Sequence, residues 1–121
     1  MNTMLLGAGR ISLQFRWLPM GDGVCLAITG GRAHIGAATI CAGAEESATV
    51  CRKGHREDML SELVSRTLAQ AGVPCCVVCG VHYDNITKEE IAAVLRLGVK
   101  GAQELAKKWK EWMLENQKEC V

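Results

Sequence analysis

The clearest pattern along the chain is an alternation of apolar and polar positions. Ile11, Leu13, Phe15 and Trp17 take turns with Ser12, Gln14 and Arg16, the period-two signature of a strand with one buried face. Pro19–Gly23 then forms a turn. Further strands are predicted at Val24–Thr29, near Ala37–Ala42 and near Ser47–Arg52, divided by Gly30-Gly31 and by Gly43-Ala44-Glu45-Glu46. Four successive strands on short links predict an antiparallel meander. From Glu57 to Ala71 the period becomes helical. Leu60, Leu63, Val64 and Leu68 share one face, and Gly72 and Pro74 end the run.

Pro74–Gly80 is short, apolar and rich in Val, which predicts a fifth, buried strand. Thr87-Lys88-Glu89-Glu90 has the form of a capping box and predicts a second helix to about Gln117. Its apolar stripe is Ile91, Val94, Leu95, Ala102, Leu105, Trp109 and Trp112. Gly98 and Gly101 inside that helix each cost up to about 1 kcal/mol relative to Ala, a loss that close approach of another backbone would offset. The expected core contains Phe15, Trp17, Leu26, Ile28, Leu63, Val77, Leu95 and Leu105. Trp109 and Trp112 lie beyond the length that one small sheet readily covers, so a homo-oligomer is expected, with both rings folded back on their own domain as the alternative.

The order of elements predicts an α+β fold: a mostly antiparallel sheet of about five strands with two helices covering one or both faces. At 121 residues, one domain over 1–121 with a self-sufficient core is expected. Fourteen Lys and Arg against thirteen Asp and Glu leave a net charge of +1, which argues against nucleic acid or an anionic membrane as partner. The chain shows neither a bilayer-length apolar run nor the segments of a signal peptide, and a cytoplasmic location is expected. Seven cysteines are an odd number in a chain that can build a core without staples, so reduced thiols are expected. Cys76-Val77-Val78-Cys79 has the spacing of a redox or zinc motif, but on a strand its two sulfurs point to opposite faces.

All three histidines fall at the ends of predicted elements: Gly30-Gly31-Arg32-Ala33-His34-Ile35-Gly36, Lys53-Gly54-His55-Arg56-Glu57-Asp58 and Gly80-Val81-His82-Tyr83-Asp84-Asn85. Polar, glycine-containing links are where binding residues concentrate, and the last two lead into helix N-termini that favour anions. A phosphate-bearing ligand fits. The Gly30–Gly36 segment matches neither a Walker loop nor the dinucleotide fingerprint. No nucleophile elbow supports a hydrolase, and no catalytic residues are assigned. The histidines with Asp58 and Asp84 behind them would suit a metal-dependent enzyme, but they come from three separate links without ligand spacing, so no metal site is expected. A pure assembly module, in which these links are structural, is the other alternative.

The same segments resemble the prenylated flavin chaperone family, typified by the D subunit of gallate decarboxylase and by maturation factors for phenazine-carboxylate decarboxylase. The matching blocks are Thr29–Gly36, His55–Asp58 and Gly80–Ile91, spaced over about Arg10 to Leu97; the cysteine-rich strands and the Trp-bearing helix lie outside them. The resemblance implies a fold similar to small proteasome-assembly chaperones, which commonly pair as dimers. It also implies that FMN or prenylated FMN is bound or delivered to a UbiD-type decarboxylase without catalysis by the chain itself. By position, the implied cofactor contacts are Gly31, His34, Gly36, His55, His82, Asp84 and Asn85.

Overall fold

The computed structural model describes residues 2–119. Its elements run β1 (Asn2–Ala8), β2 (Ile11–Met20), β3 (Gly23–Gly31), β4 (Ala37–Gly43), β5 (Glu46–Cys51), α1 (Asp58–Gln70), β6 (Cys75–His82) and α2 (Lys88–Glu119). The predicted α+β architecture is present, with a mostly antiparallel sheet of six strands in the order β1-β2-β3-β6-β4-β5. The strand not foreseen is β1. Its Met4-Leu5-Leu6 run carries no alternation, and its extended state comes from pairing with β2 across a two-residue turn, Gly9-Arg10.

The expected meander is corrected by β6, which sits between β3 and β4, parallel to the first and antiparallel to the second. Its sequence explains the placement. Cys75, Val77 and Cys79 are buried on one face while Cys76 and Val78 are half-buried on the other, and a strand shielded on both faces belongs in the interior of a sheet.

Both helices cover the face that carries Leu13, Phe15, Leu26, Ile28, Val77 and Thr39, all fully buried. α1 lies on β4 and β6, α2 on β1 and β2, and the helices also pack against each other. The helical glycines make this crossing. A Cβ on Gly98 would come within 2.6 Å of Leu60, and one on Gly101 within 2.4 Å of the Phe15 ring. α2 begins on its capping box, Glu90 N–H donating to Thr87 Oγ1 at 3.1 Å and Thr87 N–H to Glu90 Oε1 at 3.0 Å. A hydroxyl chain pins α1 to the sheet, with Thr39 Oγ1 at 2.8 Å from both Ser61 Oγ and Thr49 Oγ1.

Five of the eight expected core residues are buried, but Trp17, Leu63 and Leu95 are only half-buried. The apolar ridge of α1 is Leu60, Val64 and Leu68, one helical turn apart, and Leu63 stands beside it in a shallow groove with Leu95 and Val99. Trp17 borders a depression also lined by Trp109 and Trp112. Trp109 is 5% exposed and folds into its own core, which removes it from the argument for an oligomer, while Trp112 stacks on it at 5.1 Å. The six described cysteines are free, and Cys76 and Cys79 face opposite sides of β6; Cys120 lies outside the described residues. No described helix is long and apolar enough to cross a membrane.

The second face of the sheet has no helix on it. Leu5, Leu18, Met20, Ile40 and Val50 are exposed there, between 60% and 74%, beside Cys25, Ala27, Ala38 and Val78. Leu68→Ala should cost about 2–5 kcal/mol. Leu63→Ala should cost clearly less, because its side chain already meets solvent. Urea denaturation of both variants checks the ranking, and equal midpoints would place Leu63 in the core after all.

Candidate functional site

Because β6 lies between β3 and β4, the link 32–36 has to cross its carboxyl end. Arg32 N–H donates to His82 O at 3.0 Å at the start of the crossing, and Gly36 N–H donates to Cys79 O at 2.8 Å at its end. Two glycines let the backbones meet. A Cβ on Gly31, where φ is 63°, would lie 2.0 Å from His82 O, and one on Gly80 would lie 1.5 Å from His34 O. The link from β5 to α1 is tied alongside. Arg52 N–H donates to Gly36 O at 2.8 Å, its guanidinium donates to Ile35 O at 2.8 Å, and His55 N–H returns to Arg52 O at 3.0 Å.

Glu57, the last residue before α1, joins the two links. Its Oε1 is 2.7 Å from His34 Nε2 and its Oε2 is 3.3 Å from His55 Nδ1, with the two imidazole rings 5.1 Å apart. The other His34 nitrogen, Nδ1, donates to Arg32 O at 3.0 Å; a carbonyl only accepts, so Nδ1 carries a proton. Gly36 makes room for the carboxylate, since a Cβ there would sit 2.1 Å from Glu57 Oε2. That oxygen is buried and has no hydrogen-bond partner among the described residues. Burial pushes the Glu57 carboxyl upward, but hydrogen bonds from His34 and from backbone, together with the His34 charge, outweigh it and leave the group below its ordinary value. Burial also pushes the Cys79 thiol up, as does the Glu57 charge beside it.

His82 stands in a second cluster. Its Nε2 is 3.0 Å from Asp84 Oδ1, and an Arg32 nitrogen is 3.5 Å from the same oxygen; His82 first, then Arg32, holds the Asp84 carboxyl low. Arg10 braces this link by donating to the Asp84 carbonyl and, at 3.0 Å, to Glu90. Tyr83 braces it from the other side, through hydrogen bonds with the Ser12 backbone. Asn85 is exposed and adopts φ 53°, the left-handed turn conformation Asn tolerates.

The structure thus gathers His34, Gly36 and His55 around Glu57, sets Gly31, His82 and Asp84 beside them across Arg32, and leaves Asn85 as a turn residue. The three-histidine metal site weighed from the sequence does not form, because His82 is turned toward Asp84. Among the described residues, His34, His55 and Glu57 are the one set whose ligating atoms lie within 4.8 Å of one another. Sequence reasoning missed Glu57, Arg32 and Gly80. Glu57 lies two residues after His55 at the predicted helix start, and its partner His34 is 23 residues away, beyond any local pattern.

An apolar groove of about 380 Å³ opens beside the cluster, between the start of α1, the end of β6 and the first turns of α2. Met59, Leu60, Val81, Ile86, Ile91 and Leu95 line it together with Arg56 and Glu57. Of the two helix N-termini, that of α2 is filled by its own capping box, whereas no side chain caps α1.

Polar groups at the carboxyl ends of a parallel strand pair, next to an apolar groove, have the layout of a small-molecule cradle in open sheets. Residues 7–112 match the family model of the prenylated flavin chaperone LpdD-like domain, and the chain belongs to that family. The match takes in every residue of both clusters, and it extends past the blocks seen in the sequence to include Trp109 and Trp112. Comparison with curated proteins finds no match.

A carboxyl whose pKa is lower in the folded chain contributes stability above its unfolded value, here 4.5, and loses it as pH falls through the folded value. Glu57→Gln should therefore be less stable than wild type at pH 7, and the gap should close as the pH drops below 4.5. Denaturation midpoints against pH test this. A gap independent of pH would mean that the charge of Glu57 contributes nothing.

Proposed function

We propose that this protein holds prenylated FMN and passes it to a UbiD-type decarboxylase, without catalysing a reaction itself. The observation that carries the reading is the apolar groove opening beside the histidine–carboxylate cluster in a chain of this family. Prenylated FMN pairs a flat ring system, extended by an apolar isoprenoid ring, with an anionic phosphate. The groove offers the first part apolar walls. Arg56 and Arg32, exposed and only loosely paired with Asp58 and Asp84, offer charge-assisted donors to the second. His34, His55, His82 and Asp84 supply donors and acceptors for the polar edges, and Gly31 and Gly36 let backbone approach closely.

A carrier has to release its cargo, and the cluster is open enough for that: the His34 and His55 side chains are 22% and 28% exposed. Burial and the Glu57 charge keep the Cys79 thiol protonated, which makes it unsuited as a nucleophile. Free thiols fit a reducing compartment such as the cytoplasm.

For the homo-oligomer, the bare sheet face is the better surface now that Trp109 is known to be internal. It is largely apolar, and its strand-borne charges, Arg16 on β2 and Glu46 on β5, are of opposite sign, so a second copy related by a two-fold axis meets a matching surface. Sedimentation should give a dimer that Ile40→Glu converts to monomer. A 13.1 kDa species at all concentrations would remove the dimer.

Calorimetry with FMN and with prenylated FMN, beside circular dichroism, tests the central reading. His34→Ala should weaken binding by about 1–3 kcal/mol, as loss of a hydrogen bond to a buried polar or charged group does. Leu95→Asp should weaken it by blocking the groove. Wild-type affinity in both folded variants would mean that flavin binds elsewhere.

A further inference from the structure

We propose that His34, His55 and Glu57 form a binding site for one divalent transition-metal ion, of the two-histidine, one-carboxylate kind. The starting point is a conflict of lone pairs. His34 Nδ1 spends its proton on Arg32 O at 3.0 Å. In a neutral ring, Nε2 is then a bare lone pair aimed at a carboxylate oxygen 2.7 Å away, and two acceptors repel at that distance. Something positive belongs between them, either a second proton on the ring or a metal ion.

The rest of the cluster favours the ion. A proton on His34 settles one pair and leaves Glu57 Oε2 buried without a hydrogen-bond partner, while His55 Nδ1 stands 3.3 Å from that oxygen. One cation answers both imidazole nitrogens and the carboxylate together. Ligand atoms about 2.1 Å from a tetrahedral zinc ion lie about 3.4 Å apart, and the three groups here already lie within 4.8 Å of one another. The hydrogen bond from His34 Nδ1 to a backbone carbonyl is the outer support that orients a metal-bound imidazole. The pocket for the carboxylate is shaped by Gly36, and the backbone carrying His34 is seated on Gly80, where a Cβ in either place would collide. Three protein ligands leave a coordination position open to water or to an anionic group.

The site stands independently of flavin binding, so its test contains no flavin. Chelator-treated protein is titrated with cobalt(II) chloride, followed by visible absorption, and with zinc chloride, followed by calorimetry. The expected result is saturation at one ion per chain, cobalt ligand-field bands without a thiolate charge-transfer band, and weaker binding as imidazoles protonate at lower pH. Glu57→Gln, which keeps the shape of the side chain, and His55→Ala, in an exposed link, should each weaken affinity at least about tenfold while circular dichroism stays unchanged. Three outcomes would overturn the site: absence of stoichiometric binding, a thiolate band placing the ion on cysteine, or wild-type affinity in both folded variants. If only the flavin titrations fail, the metal site stands and the cofactor reading falls.

Discussion

β6 enters the sheet between β3 and β4, so the chain leaving β3 at Gly31 has to pass over the end of β6 before it can start β4 at Ala37. That crossing is the constraint from which the candidate site follows. It lays His34 on top of Gly80, sets Arg32 against His82, and leaves Gly36 where the link from β5 can bond to it. In a meander the same three links would lie along different edges of the sheet. The parallel pairing of β3 with β6 brings the first and third links to one end, and backbone bonds from Arg52 bring the second.

Glu57 is the electrostatic centre of the result. Its carboxylate is withdrawn from water at the start of α1, a location that ordinarily suits an acid because of the helix dipole. Here it also faces two imidazoles, and those contacts outweigh the penalty of burial. The neighbouring thiol feels the same charge with the opposite consequence, since Cys79 becomes harder to ionise. A buried carboxylate with one oxygen left over is costly to keep in a small domain. Gly36, which any side chain would close, is the structural sign that the fold is built around keeping it.

Local physics made most of the elements legible. Alternation marked β2, bracketing glycines marked β3, the capping box marked the start of α2, and the paired helical glycines announced a close approach, made by the Leu60 and Phe15 side chains and not by the backbone expected. Strand order was not legible, because pairing of β6 with β3 joins residues about fifty positions apart and leaves no local signal. β1 was hidden because one unbroken apolar run serves a strand or a helix equally well. At the site, the histidine-bearing links were visible as polar, glycine-rich breaks, yet their partners were not. Glu57 matters through contact with His34, twenty-three residues away, and Gly80 matters through a backbone above it, neither of which a linear pattern expresses.

The two unusual surfaces of the molecule are distinct, and their separation bears on the carrier role proposed above. The groove belongs to the helix side and the histidine-bearing links wrap the carboxyl ends of β3 and β6, while the bare apolar face belongs to the other side. A second copy on that face would cover exposed Leu18, Ile40 and Val50 and leave each groove open at its own end. The apolar area that a single helix layer cannot cover would then be removed from water without obstructing cargo. On the proposed function, a decarboxylase would approach the groove end, meeting the link residues directly. Handover there would require only that the partner compete for the ring in the groove and for the polar edges at His34, His55 and His82, with the packed core of β2, β3, β6 and α2 undisturbed.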